Sequence, residues 1–174
     1  MSSDHVPADD VADDFADVVA ANAAYARDFP LTGLPSPAAK HLAVLTCMDS
    51  RLDPLAMLGL EPGDAKILRN AGARVTDDIV ATLALARYLL GVERVMVVAH
   101  TQCKMASGTD EDLHEAIVGA GGPAMSELSF HTTTDQAASL REDVARAQAS
   151  PYLEGVVIGG FLYDVDTGLL SRIC

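Results

Sequence analysis

Residues 76–99, TDDIVATLALARYLLGVERVMVVA, decide the fold. Thr76 stands where an N-cap belongs, a helical run follows through Leu90, and Gly91 closes it. Arg94–Ala99 is then a short, strongly apolar run, the pattern of a buried strand. Upstream, Ala65–Arg69 (AKILR) and residues 41–47 (HLAVLTC) are two further strand candidates. Between them, Asp53-Pro54 pairs an N-cap with an N1 proline and opens a short helix ending near Gly59, and Pro62-Gly63 makes a turn. Residues 30–37 hold three prolines and a glycine and read as a linker. Before them, Val11, Phe15, Val18, Asn22 and Tyr25 follow a 3.6-residue period, so residues 9–27 are expected to be helical. Downstream, Thr109 begins a helix (TDEDLHEAI) that Gly119–Pro123 breaks, and residues 135–149 suit another, with Leu140, Val144 and Ala147 on one side. The runs GVVIGGFLYD and GLLSRI, joined around residues 165–168, read as an antiparallel strand pair.

Strands separated by helical crossovers predict an α/β fold: a mostly parallel central sheet of about four strands, an antiparallel C-terminal strand, and flanking helices. The chain divides into an N-terminal helical arm and linker, residues 1–35, and a main domain, residues 36–174. In a parallel sheet, functional groups gather beyond the carboxyl ends of the strands.

At 174 residues, one ordinary core is expected. Lys plus Arg total 12 and Asp plus Glu 25, a net charge of −13, with six aspartates in the first 17 residues. That balance excludes a general nucleic-acid binder, which needs clustered cations, and disfavours anionic membrane surfaces. No apolar run approaches the ~20 residues of a spanning helix, and the acidic start lacks the basic and apolar parts of a secretory signal. The expected location is the cytoplasm. The three cysteines, Cys47, Cys103 and Cys174, are too few and too irregular for a disulfide framework, which points to thiols kept reduced for metal binding or chemistry.

The first strand runs into Cys47-Met48-Asp49-Ser50-Arg51 and the third into His100-Thr101-Gln102-Cys103. If these strands are neighbours, two thiols and one imidazole converge. Zinc favours such ligands in tetrahedral geometry, and three protein ligands leave a fourth position open, as in catalytic sites. Taken alone, Cys47 reads as a buried packing residue, and His100-x-x-Cys103 is a short pair that chance also produces. Their placement at two strand ends, beside an Asp49–Arg51 pair, favours a site.

These residues resemble the β-class carbonic anhydrases. The match lies in Cys-x-Asp-x-Arg at one strand end, His-x-x-Cys at a later one, and Arg69–Ala73 (RNAGA), similar to the family's R-N-A-G segment. It is most like the short bacterial branch, with C-M-D-x-R-L-D at Cys47–Asp53 and H-T-x-C-x-M at His100–Met105. The resemblance is specific from about Ser36 to Cys103 and looser over the rest. It implies one zinc per chain on Cys47, His100 and Cys103, with water or hydroxide in the fourth position, and hydration of CO2 to bicarbonate and a proton. Asp49 and Arg51 become the catalytic pair. Asp49 orients the hydroxide, Arg51 holds Asp49 off the metal, and in a closed state Asp49 is itself the fourth ligand. Gly72 and Ala71 fall on the substrate side, although Gly72 also suits a plain turn. Residues 36–174 become the zinc domain, and the first helix reaches a partner in a homodimer or dimer of dimers. Two other readings keep the site: hydrolysis of CS2 or COS, and an inactive zinc- or anion-binding homologue. No G-x-G-x-x-G follows the first strand, which disfavours a nucleotide-dependent oxidoreductase.

The chain departs from the family pattern at Lys104, where glycine is common, and at Gln102, where close relatives often carry Asp. It also offers no glutamine in residues 35–38 ahead of the first cysteine. A positive φ at position 104 would strain lysine, whereas a solvent-pointing side chain would not. His5, His41 and His114 read as solvated or packing residues, and a proton-transfer role stays open for His131. Cys174 reads as a free thiol on a frayed terminus.

Overall fold

The structure, a computed structural model, describes residues 14–174. The first part of the helix expected over residues 9–27 and His5 lie outside the described residues. Two units, divided between Leu34 and Pro35, are taken separately. In the first, α1 (Ala16–Arg27) has no buried residue, and Tyr25 meets Phe29 edge-on with ring centroids 5.5 Å apart.

The second unit runs β1 (Leu42–Cys47), β2 (Ala65–Asn70), α2 (Asp77–Leu89), β3 (Arg94–His100), α3 (Asp110–Gly119), α4 (Gln136–Ala149), β4 (Val157–Tyr163) and β5 (Leu170–Arg172). The sheet order is β2-β1-β3-β4-β5, parallel except for β5 against β4. This is the expected fold class. After β2 the chain crosses through α2 to the other side of β1, so the direction of winding reverses between β1 and β3. Such a switch point opens a crevice at the carboxyl ends of the two strands. Cys47 ends β1 and His100 ends β3.

All six residues of β1 are buried, as its central place requires. Alternation sends Ala43 and Leu45 to one face, against Ile79, Leu83 and Ala86 of α2 and Leu140, Val144 and Ala147 of α4. Each large apolar side chain buried there stabilises by about 1.5–3 kcal/mol. Leu42 and Val44 point to the other face, whose cluster is drawn from the strands and the 55–60 turn: Leu60, Val98, Met96 and Phe161. Thr46 is fully buried, and its hydroxyl donates to the Val98 carbonyl at 3.0 Å.

Several local expectations are refined. Thr76 occupies the N-cap of α2 without a side-chain cap bond, whereas Thr109 and Asp112 form a complete capping box on α3. The helix expected after Asp53 is a single 3₁₀ turn, Ala56–Leu58, with Asp53 Oδ1 accepting from the amides of Leu55 and Ala56. His41 stands just before β1 with φ 51° and its Nδ1 2.7 Å from the Gly91 carbonyl. Cys174 is not frayed. Its carbonyl accepts from the Gly160 amide at 3.0 Å, and Ile173 donates back to Gly160. A Cβ on Gly160 would lie 2.7 Å from Cys174 Sγ, so glycine is what lets the terminus pack against β4.

Asp110, in the first turn of α3, gathers the 129–132 loop. It accepts from Thr132 N (3.0 Å) and Oγ1 (2.8 Å), Ser129 Oγ (2.8 Å) and Phe130 N (2.9 Å). The Thr132 bonds, with those of Ser129 and Phe130, hold its carboxyl well below the usual carboxylate range. A pKa lower in the folded chain means stability gained above the ordinary value near 4 and lost as pH falls through it toward the folded value. Asp110→Asn is therefore expected to melt lower than the parent at pH 7, with the gap closing in acid; equal melting across pH 3–7 contradicts the clamp.

Candidate metal centre

The crevice between β1 and β3 brings the three candidate ligands together. One ligand atom each of Cys47, His100 and Cys103 lies within 4.8 Å of the others, and all three residues are buried. The two sulfurs are 3.9 Å apart. A disulfide needs about 2.05 Å, whereas two Zn–S bonds of about 2.3 Å at a tetrahedral angle put the sulfurs about 3.8 Å apart. His100 is fully buried; its Nδ1 lies 2.9 Å from the Thr101 carbonyl, which fixes the proton there, while Nε2 has no hydrogen-bond partner among the described residues. An orphaned buried nitrogen costs free energy unless something accepts its lone pair. A cation between the imidazole and the two sulfurs is such a group, so the residues fit a zinc ion.

Electrostatics agree. The Cys47 thiol is pushed down, first by the hydrogen bond with Cys103 and then by His100 and the Gly72 amide, against burial. The same contact, with burial, pushes Cys103 up. Burial pulls His100 down, but the Cys47 sulfur, the Thr101 carbonyl and Asp49 outweigh it and the net shift is upward. Concentrated negative charge of this kind favours a dication.

Asp49 and Arg51 lie beside the three candidate ligands. The guanidinium forks onto the carboxylate, Nε to Oδ1 at 3.0 Å and Nη2 to Oδ2 at 2.7 Å, and the Arg51 amide adds 2.9 Å to Oδ1. These Arg51 bonds hold the Asp49 carboxyl well below the usual range. Asp49 Oδ2 stands 3.9 Å from His100 Nε2.

The Arg69–Ala73 segment supports the site in ways the sequence did not reveal. Arg69 donates to the carbonyls of Cys47 (2.9 Å) and Asp49 (2.7 Å), fixing the loop between candidate ligand and carboxylate. Asn70 exchanges two hydrogen bonds with the Arg74 backbone, and Arg74 pairs with the buried Asp143 of α4. Ala71 opens the short turn, and Gly72 donates its amide to Cys47 Sγ at 3.3 Å. Gly72 is thus both a turn glycine and a neighbour of the site. Its φ of 80° is left-handed, and an added Cβ would lie 3.1 Å from Met105 Cβ. Gly72→Ala is expected to cost about 1–2 kcal/mol of stability and to weaken metal retention in a chelator competition; unchanged melting and retention contradict the assignment.

Lys104 is exposed and begins a 3₁₀ turn, Lys104–Ala106; the positive φ of this loop falls two residues earlier, at Gln102 (57°). Gln136 Nε2 donates to the His100 carbonyl at 2.9 Å. A cleft of about 600 Å³ borders Cys103, lined by Thr101, Gln102, Lys104, Ser107 and Gln136 among others. His114 packs on Phe130 and bonds the Leu128 carbonyl, while His131 lies beside Ser129 and its carbonyl accepts from Arg74.

The family model described as carbonic anhydrase matches residues 42–149. A Mycobacterium bovis protein named Beta-carbonic anhydrase 1 is 38% identical over 160 residues, 90% of this chain and 96% of that protein. A carbon disulfide hydrolase of Saccharolobus solfataricus is 29% identical, covering 82% of this chain and 80% of that protein. Among solved structures, the carbonic anhydrase of Streptococcus mutans superposes with a TM-score of 0.85 at 37% identity, over 92% of this chain and 97% of that one.

Proposed function

The chain belongs to the β-carbonic anhydrase family, and from that premise we propose that it hydrates CO2 reversibly to bicarbonate and a proton, with one zinc ion held by Cys47, His100 and Cys103. The observation that carries this reading is the convergence of two buried sulfurs and the Nε2 of His100, unpartnered among the described residues, beside the Asp49–Arg51 fork. Bound there, zinc supplies Lewis acidity that lowers the pKa of water to about 7 and so makes a nucleophile available at neutral pH.

The protein's own groups do the rest. Asp49, ionised and held by two side-chain nitrogens of Arg51, accepts a hydrogen bond from the attacking water and aims its lone pair at the carbon of CO2. With a metal bound, the fork would hold Asp49 back from it, against a closed arrangement in which the carboxylate would be a fourth ligand. Nδ1 of His100, tied to Thr101, leaves Nε2 unprotonated for the metal. The Gly72 amide offsets negative charge on Cys47, and the Ala71–Gly72 backbone lines the substrate side.

We read residues 1–35 as an arm and linker and residues 36–174 as the zinc domain. A first helix without buried residues, and a second sheet face whose cluster within the main unit is drawn from the strands and the 55–60 turn, support a homodimer, or a dimer of dimers; a monomer in sedimentation at micromolar concentration contradicts that. No helix among the described residues is long and apolar enough to cross a membrane, and we place the protein in the cytoplasm.

Likeness to a carbon disulfide hydrolase gives CS2 or COS hydrolysis at the same site as the second reading. An inactive zinc- or anion-binding homologue is the third. Stopped-flow assays with CO2 and with CS2 on one zinc-loaded preparation separate them. CO2 hydration with negligible CS2 turnover supports the proposal, the reverse preference overturns it for the second reading, and silence with both substrates overturns it for the third.

A further inference from the structure

Gln102 lies between His100 and Cys103 in the chain and carries no ligand atom, yet it is tied to both Arg51 and the turn between β4 and β5. Its Oε1 accepts from Arg51 Nη1 at 3.3 Å, and its backbone carbonyl accepts from Arg51 Nη2 at 3.2 Å. Its Nε2 donates to Asp166 Oδ2 at 2.7 Å. Asp166 is fixed in turn, because its amide donates to Asp164 Oδ1 at 2.8 Å. The left-handed backbone of Gln102, φ 57°, is a conformation that a residue other than glycine adopts at a cost, and it accompanies the carbonyl contact with Arg51.

The two neighbours make opposite demands. Arg51 only donates and Asp166, when ionised, only accepts, so the side chain between them must accept at one end and donate at the other. An amide does both. A carboxylate would serve Arg51 and repel Asp166, and an apolar side chain would serve neither. We propose that Gln102, anchored by Asp166, is a positioning residue that holds the Arg51 guanidinium in the orientation that grips Asp49. The inference rests on the roles of Asp49 and Arg51 stated above and adds the means by which Arg51 is itself held. Without the bridge, Arg51 keeps only Asp49 and the Gln102 carbonyl, and the pair moves together. Asp49 then spends less time in the orienting position, 3.9 Å from His100 Nε2.

The test is Gln102→Met, close in size and unable to form either side-chain bond. The expected result is a fall in kcat of about 10-fold with KM unchanged, the signature of a lost transition-state contact, at full zinc content and parental melting temperature. Asp166→Ala is expected to lower kcat in the same direction, and Asp166→Asn, whose amide oxygen still accepts from Gln102, to recover most of that loss. A readout independent of turnover is exchange of the Arg51 Nε proton with solvent, followed by NMR: it should quicken in Gln102→Met and in Asp166→Ala. If Gln102→Met melts well below the parent, the Asp166 pair and the exchange rates decide the matter. Parental kcat and parental exchange in Gln102→Met, beside an impaired Arg51→Ala, overturn the inference while leaving the Arg51 role standing. A fully active Arg51→Ala overturns the reading beneath it.

Discussion

Cys103→Ala is expected to lower CO2 hydration by more than about 100-fold and to lose zinc to a chelator that the parent protein resists. Loss of a group that merely supports a metal ligand commonly costs 10–100-fold, and this change removes one of the three proposed ligands itself. Cys103 is buried, its sulfur is 3.9 Å from that of Cys47, and its hydrogen bond is the largest influence lowering the Cys47 thiol. Without it, one thiol and one imidazole remain, too few for the proposed tetrahedral site. The overall fold should survive, because most of the main core lies on the sheet face covered by α2 and α4. Cys174→Ala is the control. That thiol packs against Gly160 at the far side of β4 from this chemistry, so zinc content and turnover should stay at the parental level. Parental activity in Cys103→Ala would remove it from the site.

Arg51→Ala is expected to lower kcat by about 10–100-fold without reducing zinc content. The substitution deletes both side-chain bonds to Asp49 and frees the carboxylate to approach the metal position. X-ray absorption should then report a protein carboxylate in the fourth position in a larger share of molecules than in the parent. Arg51→Lys should recover little, since an ammonium on a flexible stem cannot reproduce the planar two-point fork. Full activity with unchanged coordination in Arg51→Ala contradicts the role.

Much of the fold was legible because its signals are local. The apolar runs of β1 and β3 and the capped segment between them need only their own residues to be recognised. The order β2-β1-β3 then puts Cys47 and His100 at neighbouring strand ends. What could not be read depends on contacts between distant positions. Nothing around residue 102 indicates that its side chain spans Arg51 and Asp166, 51 and 64 positions away. The Gly72 amide on Cys47 Sγ crosses 25 positions, and the Arg69 guanidinium reaches the Cys47 carbonyl across 22. Cys174 looked like a loose end because chain position says nothing of the pairing with Gly160 that holds it. Lys104 was open to reading as strained because the residue bearing the positive φ, Gln102, is two places earlier.

The most direct test is to strip the protein of metal, add zinc in measured steps, and follow CO2 hydration by stopped flow at each step. The account predicts a rate that climbs linearly and breaks at one zinc per chain. A protein that takes up one zinc per chain and hydrates CO2 no faster than buffer, or one whose rate is indifferent to zinc, would contradict it.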